Sequence, residues 1–168
     1  LKSRGISSGQ VLDAMRRVSR ERFISRENIR VAYHDGPVSI GHGQTISQPL
    51  TVAFMLERLQ PKKGDKILDI GSGSGWTTAL LALIVGPEGK VIGLDIISEL
   101  VDFGQKNLQK YDFENAQIQK AKKDVLGLPD KQFDKILVSA AANEFPKELL
   151  DQLKNNGSMA IPVKSSLF

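Results

Sequence analysis

The spacing of apolar and polar residues changes several times along this chain, and each change marks an element. Over residues 7–30, Val11, Leu12, Met15 and Val18 recur at helical spacing, with Arg16, Arg17, Arg20 and Glu21 mostly on other faces. The pattern predicts a packing helix with a solvated basic face, N-capped by Ser7 or Ser8. A second short helical piece is predicted from near Ser25. Residues 31–49 then lose the period. Four Gly and Pro residues stand between Gly36 and Gly43, which excludes a regular helix there. Pro49 suits the first turn of a new helix, with Ser47 or Gln48 near its cap. That helix is predicted over 50–59, with Val52, Met55, Leu56 and Leu59 on one face, ending before Pro61.

From residue 64 onward, short apolar runs alternate with helical patterns. Strands are predicted at 66–70, 90–95, 116–120, 133–139 and 158–163. Helices are predicted at about 75–85, 98–110 (capped by Ser98) and 146–154. The turns are Gly86-Pro87-Glu88-Gly89 and Asn155-Asn156-Gly157. This alternation is the signature of an α/β fold: an open, mainly parallel, Rossmann-like sheet with helices on both faces. The first strand should be central. One domain is expected over 1–168, with N-terminal helices and a polar loop in 1–60 and the α/β core in 61–168.

The chemistry concentrates after the first core strand, in Asp69-Ile70-Gly71-Ser72-Gly73-Ser74-Gly75-Trp76. Glycine lets backbone approach a ligand closely, and the helix that follows offers free N–H groups. A dinucleotide fingerprint spaces its glycines G-x-G-x-x-G. Here the third glycine comes one place early, and Asp69 at the strand's end would welcome an ammonium group. Such a cradle suits the amino-acid end of S-adenosylmethionine better than a pyrophosphate. Asp95 ends the second strand about 20 residues on, where an acid can accept both hydroxyls of a ribose. Asp124 could meet an adenine amino group, and the small residues Ala140-Ala141-Ala142 stand where ligands of open sheets sit. The polar loop 31–49 is a candidate substrate-binding segment.

Composition narrows the possibilities. The chain has 168 residues, 40% hydrophobic and 25% charged, which suits one globular domain. No cysteine is present, so disulfide and thiol chemistry are excluded, and His34 and His42 alone make a histidine-rich metal site unexpected. The net charge of +4 is spread without an aromatic stripe, so no nucleic-acid partner is expected. No signal peptide is visible and no apolar run approaches the roughly 20 residues of a membrane helix, so a cytoplasmic protein is expected.

Together these features resemble a class I methyltransferase. The loop Gly41-His42-Gly43-Gln44-Thr45-Ile46-Ser47-Gln48-Pro49 is similar to the substrate loop of the protein-L-isoaspartate O-methyltransferase family. So are Ala32-Tyr33-His34-Asp35, Ser139-Ala140-Ala141-Ala142 with Pro146, Ile161-Pro162-Val163, and the first helix with Glu21-Arg22-Phe23. The resemblance spans nearly the whole chain in order. There are departures: Trp76 stands where an aromatic, commonly Tyr, is usual, and Lys123-Asp124-Val125 replaces a Gly-Asp-Gly turn. Family members also carry a terminal β-hairpin that completes a seven-stranded sheet. Five strands are counted here, so this C-terminal hairpin is expected to be missing from the chain, which starts at Leu1 and reads as part of a longer protein.

The resemblance implies methyl transfer from S-adenosyl-L-methionine, with S-adenosyl-L-homocysteine as product, to the carboxylate of L-isoaspartyl residues in damaged proteins. The ester then closes to a succinimide that reopens partly to aspartate. It implies cofactor contacts from Ile46, Asp69, Gly71, Ser72, Gly73, Gly75, Asp95, Ile96, Asp124 and Val125. His42, Gly43, Gln44 and Ala141 would bind substrate, and Ser47 with Thr45 would orient the carboxylate. A helix cap is the alternative role for Ser47. The expected partners are isoaspartyl proteins and peptides, met by a monomer without metal. Two other classes stay open: a methyltransferase acting on RNA or a small molecule, and a non-catalytic S-adenosylmethionine-binding protein.

Overall fold

A computed structural model describes residues 1–140 and 146–163. Five parallel strands form the main sheet: β3 (Lys66–Ile70), β4 (Lys90–Asp95), β5 (Ala116–Lys120), β6 (Phe133–Val138) and β7 (Leu153–Ala160), in the order β5-β4-β3-β6-β7. The first core strand, β3, is central, and its middle residues Ile67, Leu68 and Asp69 are buried. Its neighbours run in register, Leu68 opposite Ile92 on one side and Ile136 on the other. The strand order reverses at β3, so the turn after it opens at the sheet's switch point.

The pleat divides the core. Ile67 faces a large cluster that takes buried residues from α1 (Gly9–Arg17), α2 (Pro49–Leu59), α3 (Trp76–Val85) and α4 (Ser98–Leu108). Leu68 faces a smaller cluster with Ile92, Leu94, Phe133, Ile136, Val138 and Leu149. Helix α3 is buried on nearly every side because it lies between the sheet and α1. Its all-apolar sequence, from Ala79 to Val85, matches that position.

Several boundaries differ from the sequence reading. Ser8 does cap α1, its hydroxyl accepting from the Val11 N–H, but the helix stops at Arg17. Short 3-10 helices, Arg20–Phe23 and Arg26–Val31, follow in place of one continuing helix. Arg20 is the reason: it leaves the solvated face assigned to it and turns inward, 1% exposed. The loop 31–49 contains an antiparallel hairpin, β1 (Val38–Gly41) and β2 (Gln44–Ile46), which the sequence does not reveal because a three-residue strand has no measurable period. The predicted helix 146–154 is a 3-10 helix, Lys147–Gln152. The predicted turn at Asn155–Gly157 lies inside β7, where Asn156 is left-handed and the register against β6 shifts. The N-cap of α4 is Ile97, not Ser98, whose hydroxyl accepts from Lys120 Nζ.

Close approach between α4 and the turn after β3 sets the height of that turn. A Cβ on Gly104 would stand 2.7 Å from Ile118 Cδ1 and 2.9 Å from the Gly73 carbonyl oxygen. Gly75 faces it, with φ +88° and Ile118 Cδ1 at 2.8 Å from a would-be Cβ. The third glycine of the turn thus serves packing. Gly75→Ala should lower stability by about 2–4 kcal/mol, combining left-handed strain with overpacking. Gly9→Ala, at an open helix start, should leave stability unchanged or raise it by up to about 1 kcal/mol. Urea unfolding of both variants checks the contrast.

Candidate active site

The turn after β3 is held from below by one carboxylate. Asp69 is fully buried. Its Oδ2 accepts from the hydroxyls of Thr77 and Thr78, both at 2.6 Å, and its Oδ1 from Ser139 at 3.2 Å. It thereby ties the end of β3 to the first turn of α3 and to the end of β6. Burial pushes its pKa up; the three hydroxyls oppose that shift and the nearby Asp95 adds to it. All of this places Asp69 beneath the cradle, where it supports the turn, and not on the cavity wall. From the sequence, Asp69 counts among the cofactor-binding residues, where an ammonium group would be welcome. A strand-end acid reads the same either way, because the hydroxyls that claim it come from α3 and β6.

Above Asp69 lies a small cavity of about 90 Å³. Its floor is Gly71, Ser72, Gly73 and Ser74, and its roof is Ile40, Gln44, Thr45, Ile46 and Ser47 from the hairpin and the residue beyond it. Asp95, Thr77, Trp76, Ser139 and Ala140 complete the wall. The hairpin touches down where backbone is bare: a Cβ on Gly73 would stand 3.1 Å from Ile40 Cδ1. Among the described residues the lining contains no lysine or arginine. A pyrophosphate would bring its charges there without a cation to meet them, whereas a cationic ligand meets Asp95.

Asp95 is pre-arranged. Its Oδ2 accepts from the Gly73 N–H and its Oδ1 from the Ile97 N–H, both at 2.9 Å. A carboxylate offers about four lone-pair directions, so both oxygens retain capacity for hydroxyl donors. Ser72 adds a buried hydroxyl without a hydrogen-bond partner among the described residues. An unpartnered buried hydroxyl beside a fixed carboxylate, over bare glycine backbone, fits a polar ligand carrying hydroxyl and amino-acid groups.

The predicted site residues fall into groups. Thr45, Ile46, Ser47, Gln44, Gly71, Ser72, Gly73 and Asp95 meet in this cavity. Ile96, Asp124 and Val125 line a second, open hollow of about 620 Å³ with Lys120 to Lys123 and Leu126. The two hollows adjoin at the Asp95–Ile96 bond. Ile96 is 74% exposed there, an apolar side chain turned outward at the rim. His42 and Gly43 form the left-handed tip of the hairpin and lie outside the cavity wall. Gly75 packs against α4 as described. Ala141 lies outside the described residues. Sequence reasoning missed Ile40, Thr77, Ser139 and Trp76 as wall residues. Of these, Ser139 carries a signal through the family resemblance, and Trp76 as the one tryptophan of the chain, placed directly after the glycine turn.

Comparison with known proteins agrees with this geometry. A family model described as protein-L-isoaspartate(D-aspartate) O-methyltransferase matches residues 1–167. The chain belongs to this family. A protein-L-isoaspartate O-methyltransferase of Methanopyrus kandleri is 43% identical over 165 residues, covering 97% of this chain and 73% of the relative. One from Myxococcus xanthus is 42% identical, covering 97% of this chain and 76% of the relative. Among solved structures, one from Plasmodium falciparum, described as a beta-aspartate methyltransferase in complex with S-adenosyl-L-homocysteine, superposes with a TM-score of 0.86 at 33% identity. That match covers 99% of this chain and 82% of the other. Among the described residues no helix is long and apolar enough to cross a membrane, and no group of three acidic or histidine side chains is placed to hold a metal ion.

The raised pKa of Asp69 has a signed consequence. A carboxyl whose folded pKa exceeds its unfolded value stabilises the fold most when protonated, and that contribution is lost as pH rises through the folded pKa. Asp69→Asn removes the titration while keeping a polar group for the hydroxyls. The stability of the wild type relative to Asp69→Asn should therefore fall as pH rises from about 4, the unfolded carboxyl value, through the raised folded value. Chemical denaturation of both proteins across that range measures it. A difference that grows in the wild type's favour would mean that the hydroxyls outweigh burial.

Proposed function

We propose that this chain transfers a methyl group from S-adenosyl-L-methionine to the free carboxylate of L-isoaspartyl residues in proteins and peptides, the first step of their repair. The observation that carries the reading is the joining of two sequence features in one cavity: the glycine turn with Asp95 as floor, and Gln44 to Ser47 as roof. Family membership supports the same reaction. The cofactor supplies a methyl group on a positively charged sulfur.

The residues have distinct tasks. Asp95 accepts from the ribose hydroxyls with oxygens already fixed by the Gly73 and Ile97 N–H groups. Gly71, Gly73 and Ser72 face the amino-acid end, and Ile96, Asp124 and Val125 face the base. Thr45 and Ser47 aim the substrate carboxylate. The acceptor is already an anion at neutral pH, since a carboxylate has a pKa near 4. No side chain has to remove a proton. Charge is neutralised as the methyl group moves between the two partners, so a strongly charged wall would hold the reactants back. The uncharged roof of hydroxyls, amide and backbone suits this. What remains for the protein is alignment at near-attack distance.

The alternative role for Ser47, a helix cap, finds no support in the structure. The N-cap of α2 is Gln48, whose side chain makes no capping bond, and the first-turn N–H of Leu50 is met by Asp35 Oδ1 at 3.4 Å, not by Ser47. Ser47→Ala should therefore leave the melting temperature nearly unchanged, within about 0.5 kcal/mol of stability. Single-turnover methylation of an isoaspartyl peptide should fall strongly, with the aspartyl peptide as control. A drop in melting temperature with near-normal turnover would remove Ser47 from the mechanism.

Asp95→Ala should weaken S-adenosylmethionine severely. Hydrogen bonds to a charged carboxylate contribute about 1.5–3 kcal/mol each, and two are at stake. Calorimetry with S-adenosylmethionine and with NAD on the same protein is the direct measure. Tight NAD binding, or an unchanged dissociation constant in Asp95→Ala, would overturn the cofactor assignment.

A further inference from the structure

Among the described residues Arg20 is the largest side chain to be fully buried, and it stands apart from the groups assigned above. Its Nη1 donates to the Ala32 carbonyl. Its Nη2 reaches the carbonyls of Gly36 at 2.9 Å, Ser47 at 3.0 Å and Ile46 at 3.3 Å. Its Cζ lies 5.5 Å from the centre of the Trp76 ring, whose Nε1–H donates to the Val18 carbonyl at 3.2 Å. Nε finds no partner among the described residues, and none of the ion pairs there involves Arg20.

The four acceptors are not scattered. Ala32 and Gly36 precede the β1–β2 hairpin, and Ile46 and Ser47 close it. The guanidinium therefore pins both legs of the hairpin at its base. The hairpin has only seven strand residues and an irregular register, so its own ladder defines its tilt weakly. Two of the pinned carbonyls belong to Ile46 and Ser47, both roof residues of the cavity. Trp76, the wall residue after the glycine turn, is held against the same guanidinium. Roof and wall are thus referred to one rigid, planar group.

We propose that Arg20 is a positioning residue for methyl transfer: by holding the Ile46 and Ser47 carbonyls it sets the Ser47 hydroxyl at its working distance above the glycine turn. The proposal rests on the methyl-transfer reading given above. Only arginine presents donors in a planar fork that can serve acceptors on both sides at once. Lysine keeps the charge and much of the length but concentrates its three donors at one point.

R20K and R20M should be compared with the wild type, each well below its own melting midpoint. Three readouts separate positioning from plain stability. In R20K the single-turnover rate on a saturating isoaspartyl peptide should fall about 10- to 100-fold, the scale expected of a misplacement near 1 Å. R20M should be slower still. S-adenosylmethionine affinity should hold in R20K, because the glycine turn is anchored through Asp69 and Asp95 is held by the Gly73 and Ile97 N–H groups. Amide exchange followed by mass spectrometry should speed up over residues 38–48 and stay unchanged over 66–95. A wild-type rate in folded R20K would overturn the proposal. So would a loss of rate matched by an equal loss of cofactor affinity and faster exchange over 66–95, which would make Arg20 a general stabiliser. Failure of the wild type to methylate the peptide would overturn the functional reading and the rate effect claimed here. The exchange pattern, read without catalysis, would then judge the clamp alone.

Discussion

The buried carboxylate of Asp69 is the constraint on which the site depends. An ionisable group with no access to solvent must be given donors, and three hydroxyls from two other elements supply them. In doing so they bring α3 and the end of β6 to fixed positions about the end of β3. The glycine turn lies directly above this junction. Its shape is therefore decided from below, by Asp69, and from the side, by the close approach of Gly104 and Ile118. A ligand would meet a floor that needs no rearrangement.

The roof follows a different rule. It comes from a short hairpin in the N-terminal segment, which has no place in the parallel sheet. It is held by the buried side chains of Val38, Ile40 and Ile46, with Ile40 resting on bare glycine backbone, and by the Arg20 clamp at its base. A buried guanidinium and a buried carboxyl group thus hold the two halves of one cavity. They do not pair with each other. Carbonyls accept from both Nη atoms of Arg20 and hydroxyls meet Asp69, which leaves Asp95 as the carboxylate on the cavity wall among the described residues. An acid on the wall, beneath a roof that is uncharged among the described residues, is suited to a cationic donor and an acceptor that brings its own negative charge.

Much of this architecture was legible in the chain. The apolar run Lys66–Ile70, the early third glycine and Asp95 mark a strand, a turn and a second strand end, because a buried parallel strand needs continuous apolar residues and a tight turn needs glycine. The limits of β4, β5 and α2 came within a residue for the same reason. The polar loop was recognisable by composition. Family resemblance then named residues that geometry alone could not order.

What tertiary structure decided is which side of each feature faces the ligand. Asp69 and Gly75 read in sequence as ligand contacts, yet one is taken by Thr77, Thr78 and Ser139 and the other by α4. Arg20 reads as one more solvated cation beside Arg16 and Arg17, yet its acceptors lie 12 to 27 residues further on. The hairpin in 38–46 is too short to show a period, and it exists because its base is pinned and its tip is free to turn left-handed at His42 and Gly43. Local sequence determines elements whose stability is local. The roles of buried charges are non-local, since a charge is placed by whichever distant donors or acceptors can satisfy it, and those meet only in the folded chain.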